Sequence, residues 1–289
     1  MKSLKAVLAG LLAIVFVAWS IFFIYDNPDV IAAGLGLITA ATVFLGVFFY
    51  SVGFIANALI LQITVKSSGS SLSFLRSAEL TGLNAWGNLV LPWKGGFAIK
   101  TAALKFFHGL SVRRFLVVSL APAAYLVVFS LAGLAFSLSP VLSLTGLALS
   151  VLATHLLTVS LRVLTTPDSL KVAGLSGVVA ASQIGTLWAA SSSGNFVVMQ
   201  LDQLVTLSGG ALIAGLVSLT PAAWGVREFF LIQASSLHGL SGSEIFSLGI
   251  ADRTVYLMFL VSLGVVLLIG YLSTDNMLSR RIWPKRSSE

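Results

Sequence analysis

The chain has 289 residues, of which 57% are hydrophobic and only 9% are charged, and its formal net charge is +7. In an ordinary soluble domain about a quarter of the residues are charged. The composition therefore excludes a water-soluble domain and predicts an all-α polytopic membrane protein. The absence of cysteine excludes disulfides and thiol chemistry.

The positive net charge does not indicate a nucleic-acid partner. Most lysines and arginines stand at the ends of apolar runs, where the positive-inside rule places them in cytoplasmic loops. We therefore expect a multi-pass protein of the inner (plasma) membrane with both termini in the cytoplasm.

The first apolar run covers about residues 5–25 and follows Lys2 and Lys5. Its length suits a spanning helix better than the apolar part of a signal peptide, and no small-residue cleavage site follows it. The sequence thus predicts a retained peripheral helix within residues 1–29.

The second apolar run, about 30–65, is too long for one straight span. It contains either two spans or one helix that is tilted, or broken near Gly46, Gly53 or Asn57. One crossing is favoured, because it leaves the basic residues that follow the run on the cytoplasmic side.

The segment at about 74–108 has basic residues at both ends, which places both ends in the cytoplasm. We expect a re-entrant hairpin that turns at Pro92. A second segment, about 203–238, has no Lys or Arg at either end and is predicted to enter from outside. The remaining spans are predicted at about 112–136, 141–163, 172–192 and 244–272.

This assignment gives about six full spans and two re-entrant helical hairpins in one transmembrane domain, 1–289. It leaves no Lys or Arg in an external loop. The hairpins and spans form two inverted repeats, an arrangement known from transporters with the binding site at the repeat interface. The predicted parts are a peripheral helix 1–29, repeat one 30–136, a linking helix 137–171, repeat two 172–275 and a basic cytoplasmic tail 276–289.

The two hairpins contain similar sequences. Pro92 is four residues before Gly96 and Pro221 is four residues before Gly225, and a His-Gly-Leu-Ser run follows each pair. Proline and glycine favour a helix start after each turn. Helix N-termini at membrane depth offer free N–H groups and partial positive charge to an anion.

Ionisable residues in and beside these turns are candidate binding residues, because a charge at membrane depth costs about 3 kcal/mol or more unless it is paired. The predicted substrate-binding residues are Asn88, Pro92, Lys94, Gly96, Lys100, Pro221, Gly225, Arg227, Glu228, Asp252 and Arg253.

A purely structural role is the alternative for several of these residues. Arg227 with Glu228, Arg253 with Glu228, or Asp252 with Arg253 could form ion pairs that only connect helices. Lys100 could instead extend to the cytoplasmic surface.

The sequence contains no metal-ligand cluster, no Ser-His-Asp set that could share one face and no phosphate-binding loop. We therefore expect no enzyme activity, no cofactor and no metal. His155 is expected to be a packing residue, and His108 and His238 are expected to lie at local turns.

At the two hairpin motifs the chain resembles the lysylphosphatidylglycerol synthase transmembrane-region family, a flippase-like membrane domain. The family's first motif, Asn-x-x-x-Pro-x-Arg/Lys-x-Gly-Glu-x-x-Arg, corresponds to Asn88, Pro92, Lys94, Gly96, Phe97 and Lys100. Phe97 stands where the family has Glu, and Lys100 where it has Arg. The second motif, Pro-x-x-x-Gly-x-x-Glu with a later Arg, corresponds to Pro221, Gly225, Glu228 and Arg253.

The resemblance implies a stand-alone flippase-like domain, without the soluble synthase domain, that translocates an aminoacylated, glycosylated or polyprenyl-linked lipid. The partner is then a membrane lipid whose headgroup lies between the hairpin tips. The alternative is a non-transporting scaffold for a glycosyltransferase or lipid-modifying enzyme, docked through the basic tail. A third, weaker alternative is an intramembrane enzyme acting on lipid phosphates.

Overall fold

The computed structural model describes residues 28–91, 93–192, 199–217, 220, 223 and 225–278, with side chains up to residue 267. Over these ranges the chain forms ten α-helices and no strand. The predicted helix at 5–25, Pro92, Pro221 and residues 279–289 of the predicted tail lie outside the described residues. The all-α prediction is confirmed for the part that is described.

The helices vary widely in length. They are α1 Pro28–Gly36, α2 Ala40–Ser67, α3 Phe74–Val90, α4 Gly95–His108, α5 Val112–Ala135, α6 Pro140–Ser160, α7 Thr166–Ser191, α8 Leu201–Val217, α9 Val226–Ser236 and α10 Gly242–Leu278.

Five of these helices are long and apolar enough to cross a membrane, namely α2, α5, α6, α7 and the Gly242–Leu267 part of α10. The chain is therefore a multi-pass membrane protein. Hydroxyl side chains accept hydrogen bonds from the first turns of five helices and so explain where these helices begin. These caps are Thr39, Ser73, Ser111, Ser139 and Thr165.

The run at 30–65 contains one span and one short helix. The nine residues of α1 extend about 14 Å, less than half of a hydrocarbon layer of about 30 Å. The break falls at residues 37–39, where Thr39 caps α2 and the Thr42 hydroxyl donates to the Leu37 carbonyl at 3.2 Å.

Of the alternatives for this run, a break near Gly46, Gly53 or Asn57 is absent, because α2 continues through all three positions. The two glycines instead allow other helices to approach closely. A Cβ at Gly46 would lie 2.5 Å from Val255 Cγ1, and one at Gly53 would lie 2.5 Å from Ser182 Oγ.

The segments predicted as hairpins are pairs of short helices that pack against each other. We call α3 with α4 the first helical pair and α8 with α9 the second helical pair. Their helices have 17 and 14 residues, and 17 and 11 residues, so each is shorter than a span of about 20 residues. In the first pair the helices touch through backbone, since a Cβ at Gly87 would lie 2.5 Å from Gly96 Cα.

Each helical pair has its own apolar cluster. Leu80 and Leu104 of the first pair pack with Leu61 of α2. Leu207 and Leu231 of the second pair form another cluster with helices α7 and α10. Residues of both clusters, Leu61 of the first and Ala211 of the second, line the cavity described next.

Candidate ligand-binding cavity

A cavity of about 500 Å³ lies among α2, α3, α4, α5, α7, α8, α9 and α10, and residues of both helical pairs line it. This volume is in the range of small-molecule binding sites. Four of its lining side chains are cationic, namely Lys94, Lys100, Arg227 and Arg253. Its neutral polar lining includes the amides of Asn57, Asn84, Asn88 and Gln183.

The structure brings five predicted site residues to the cavity wall: Asn88, Lys94, Lys100, Arg227 and Arg253. The other described ones, which are Gly96, Gly225, Glu228 and Asp252, do not line the cavity but contact residues that do, or support the turns. Pro92 and Pro221 lie outside the described residues.

Two buried ion pairs connect α9 to α10. Arg227 pairs with Asp252, and Arg253 Nε lies 3.4 Å from Glu228 Oε1. The four residues are between 1% and 7% exposed. Of the pairings expected from the sequence, Arg253 with Glu228 is present, whereas Arg227 and Asp252 pair with each other.

Each arginine keeps donors that the protein does not use. Arg227 Nε and Arg253 Nη2 are buried and have no hydrogen-bond acceptor among the described residues. A guanidinium has five N–H donors, and leaving one buried without a partner is costly. Both arginines also line the cavity, so two guanidinium charges lie at its wall.

Tyr50 of α2 is a functional candidate that the sequence analysis missed. Its hydroxyl donates to Asp252 Oδ1 at 2.7 Å, so Asp252 holds both Tyr50 and Arg227. The Tyr50 ring lies 5.0 Å from that of Tyr256 and 5.8 Å from that of Phe259, centroid to centroid. A buried tyrosine hydroxyl needs a polar partner, and this need was the available signal in an apolar run.

The two helix starts at the cavity are capped by the chain itself. Asn88 Oδ1 accepts from the Gly96 N–H at 3.0 Å, and Glu228 Oε2 accepts from the Gly225 N–H at 2.8 Å. The expectation of free N–H groups at both tips is therefore wrong for these two donors. Cationic side chains, rather than these backbone groups, face the cavity.

Lys94 and Lys100 form no ion pair with a carboxylate of the described residues. Lys94 precedes α4 in the left-handed conformation, with φ 54°, which is uncommon for a residue other than glycine. Lys100 Nζ lies 5.0 Å from the centre of the Phe97 ring, close enough for a cation–π contact. Both ammonium groups belong to the cavity wall.

None of the three histidines, all of which the structure describes, lines the cavity, and His108 is the last residue of α4. His155 Nδ1 lies 3.0 Å from Ser169 Oγ, which also bonds Tyr125 and Thr158. His238 Nε2 lies 3.0 Å from Thr206 Oγ1. These contacts agree with a packing role and a local turn role.

Among the described residues, no three His, Asp or Glu side chains come together in a way that could hold a metal ion. No protein-family model, curated protein or solved structure matches this chain. The cavity therefore carries the functional information: four cationic side chains line it, and the carboxylates that pair with its two arginines do not.

Proposed function

We propose that this protein is a flippase-like transporter that moves an aminoacylated, glycosylated or polyprenyl-linked lipid across the inner membrane. The headgroup enters the cavity between the two helical pairs, and the acyl or prenyl chains stay in the bilayer. The observation that supports this most strongly is the cationic lining of the cavity, to which both helical pairs contribute: Lys94, Lys100, Arg227 and Arg253.

The proposal includes the membrane arrangement. The helical pairs are re-entrant hairpins, the first entering from the cytoplasm and the second from outside, within two inverted repeats and about six spans. The shortness of all four hairpin helices supports this arrangement, and so does the distribution of Lys and Arg. Both chain termini are then cytoplasmic. The resemblance of the two motifs to the lysylphosphatidylglycerol synthase transmembrane-region family supports the proposed lipid translocation.

In this proposal Arg227 and Arg253 bind the anionic part of the headgroup through N–H groups that their carboxylates leave unused. Charge-assisted hydrogen bonds of this kind are about twice as strong as neutral ones. Asp252 and Glu228 keep the arginines oriented before the ligand arrives, which reduces the cost of binding. Without a nucleotide-binding motif in the sequence, translocation is passive or coupled to an ion gradient.

The experiment compares translocation of fluorescent lipids by purified protein in liposomes. The test variant is Arg227→Gln with Asp252→Asn, which removes both charges of one pair so that neither remains buried alone. The control is Arg76→Gln with Glu79→Gln, the same charge change in an exposed pair on α3.

We expect the cavity variant to lose about tenfold or more of the translocation rate, the equivalent of one good interaction of about 1.4 kcal/mol. The control should keep the wild-type rate. A cavity variant that elutes and melts like wild type and still translocates normally would contradict the proposal. Wild-type protein that binds lipid without moving it would favour the scaffold alternative.

A further inference from the structure

The charges on the cavity wall do not balance. Four cationic side chains line the cavity, and the carboxylates of Asp252 and Glu228 pair with two of them, the arginines. Neither carboxylate lines the cavity. Among the described residues no acidic side chain pairs with Lys94 or Lys100. The wall thus presents two positive charges more than its own carboxylates neutralise.

Such an excess is unfavourable at membrane depth, where an unpaired charge costs on the order of 3 kcal/mol. A ligand with two negative charges removes the excess, whereas a ligand with one leaves half of it. A phosphomonoester has a charge of about −1.5 to −2 at pH 7. A phosphodiester has a single negative charge, and an added lysyl or other amino group cancels it or reverses its sign.

The unpaired charges and the unused donors come from different elements around the same cavity. The two lysines belong to the first helical pair, on or just before α4. Arg227 and Arg253, which have buried donors without acceptors, belong to α9 and α10. Both unpaired charges thus come from the first helical pair, and a terminal phosphate or a pyrophosphate matches them in number.

We propose that the cavity selects a dianionic phosphate group, a terminal phosphomonoester or a pyrophosphate, and rejects headgroups with a cationic aminoacyl group. The lipid origin of this phosphate rests on the proposed function, while the charge of the ligand rests on the cavity alone. The inference narrows the lipids named above to those that present a terminal phosphate or pyrophosphate.

The test measures binding of the purified full chain to nanodiscs of phosphatidylcholine that contain one added lipid with matched acyl chains. The probes are phosphatidic acid, phosphatidylglycerol and lysylphosphatidylglycerol, and inorganic phosphate and pyrophosphate are titrated separately. We expect phosphatidic acid to bind about tenfold or more tighter than phosphatidylglycerol, because it neutralises a second unpaired charge of the cavity wall. Lysylphosphatidylglycerol should bind no better than phosphatidylcholine.

A double variant, Lys94→Gln with Lys100→Gln, tests the source of the selectivity. It should bind phosphatidic acid and phosphatidylglycerol about equally, because the excess charge is gone while both arginine pairs remain. The matched control is Lys66→Gln with Lys105→Gln, two lysines that do not line the cavity, and it should keep the wild-type preference.

The outcomes separate the inference from the proposed function. Wild-type protein that binds the monoanionic and dianionic lipids equally, or that prefers the lysyl lipid, would overturn the inference and leave lipid transport standing. Tight binding of inorganic phosphate or pyrophosphate without any lipid preference would support a dianion site but overturn its lipid origin. Selectivity that survives in the double lysine variant would also overturn the inference.

Discussion

The two helical pairs follow one plan but stabilise their turns differently. In both, residues with positive φ connect the helices, and a side chain accepts a hydrogen bond from a glycine N–H beside the turn. The first pair uses the neutral amide of Asn88, and its tip is open, with Trp93 49% exposed. The second uses the carboxylate of Glu228, which is 4% exposed and also bonds Arg253.

This difference indicates that the cavity residues of the second helical pair are held more rigidly than those of the first. The start of α9 is connected to α10 by two buried ion pairs, so its arginines are held before any ligand arrives. The start of α4 is held by one amide cap and by close helix packing, and its lysines have no ionic partner among the described residues. We therefore expect the first pair to adjust to the ligand and the second to present a preformed surface.

The largest loss of stability should come from breaking an ion pair that connects α9 of the second helical pair to α10. Asp252→Ala leaves Arg227 charged, buried and without its carboxylate, and it also removes the partner of the Tyr50 hydroxyl. Removing one member of a buried pair costs about 3–5 kcal/mol. Thermal unfolding in detergent should show this loss.

Glu79→Ala on the exposed α3 pair is the control for that prediction, since exposed pairs contribute about 0–1 kcal/mol. If Asp252→Ala and Glu79→Ala lowered the melting temperature equally, the ion pairs with α10 would not be what holds the second helical pair in place.

A smaller loss should follow from separating the helices of the first pair. A methyl group at Gly96 would overlap the Asn84 carbonyl oxygen, so Gly96→Ala forces α3 and α4 apart. Overpacking of this kind costs about 1–3 kcal/mol. Gly210→Ala, whose Cβ would lie 2.9 Å from the Phe230 carbonyl oxygen, should cost less, and Gly215→Ala, with nothing within 4 Å, should cost nothing.

Thermal unfolding of these three glycine variants should show the largest decrease in melting temperature for Gly96→Ala, a smaller one for Gly210→Ala and none for Gly215→Ala. An effect of Gly215→Ala as large as that of Gly96→Ala would mean that helix packing does not hold the first pair together.

The smallest effect should come from the cap of α4. Asn88→Ala removes the acceptor of the Gly96 N–H, and loss of such a cap costs about 1 kcal/mol. Hydrogen exchange of residues 95–98 should speed up while α9 stays unchanged. Asn57→Ala removes another cavity amide, whose one hydrogen bond among the described residues goes to the Gly53 carbonyl of its own helix, and it should leave exchange at α4 as it is.

Local chemistry in the sequence predicted most of the helices. The span predicted at 112–136 is observed at Val112–Ala135, and the segment at 74–108 is observed as two helices interrupted at residues 91–94. Apolar length, the positions of Lys and Arg, and Pro/Gly turns are read directly from neighbouring residues. The local signal at the break at 37–39 is the single hydroxyl cap of Thr39, which does not by itself indicate a helix end within an apolar run. The position of α1 also depends on a distant contact with α10, where a Cβ at Gly34 would lie 2.7 Å from the Ser247 carbonyl oxygen.

The candidate site was predictable in its residue types but not in its pairings. The sequence identified the charges at 227, 228, 252 and 253, yet which acid meets which arginine depends on how α9 is rotated against α10. Adjacent residues on a helix differ by about 100° in direction, so several pairings were compatible with the spacing. Tyr50 was missed for the same reason, because its partner Asp252 is 202 residues away in the chain.

The order of charges across the α9–α10 contact has a mechanical consequence. Arg-Glu at 227–228 faces Asp-Arg at 252–253, so each positive group meets a negative one. A slide of one helix past the other by a single turn, about 5.4 Å, would separate all four charges while they are buried, at 1% to 7% exposure. The two ion pairs therefore permit only one axial register between α9 and α10. These two helices must move as one rigid unit in any conformational change that opens the cavity.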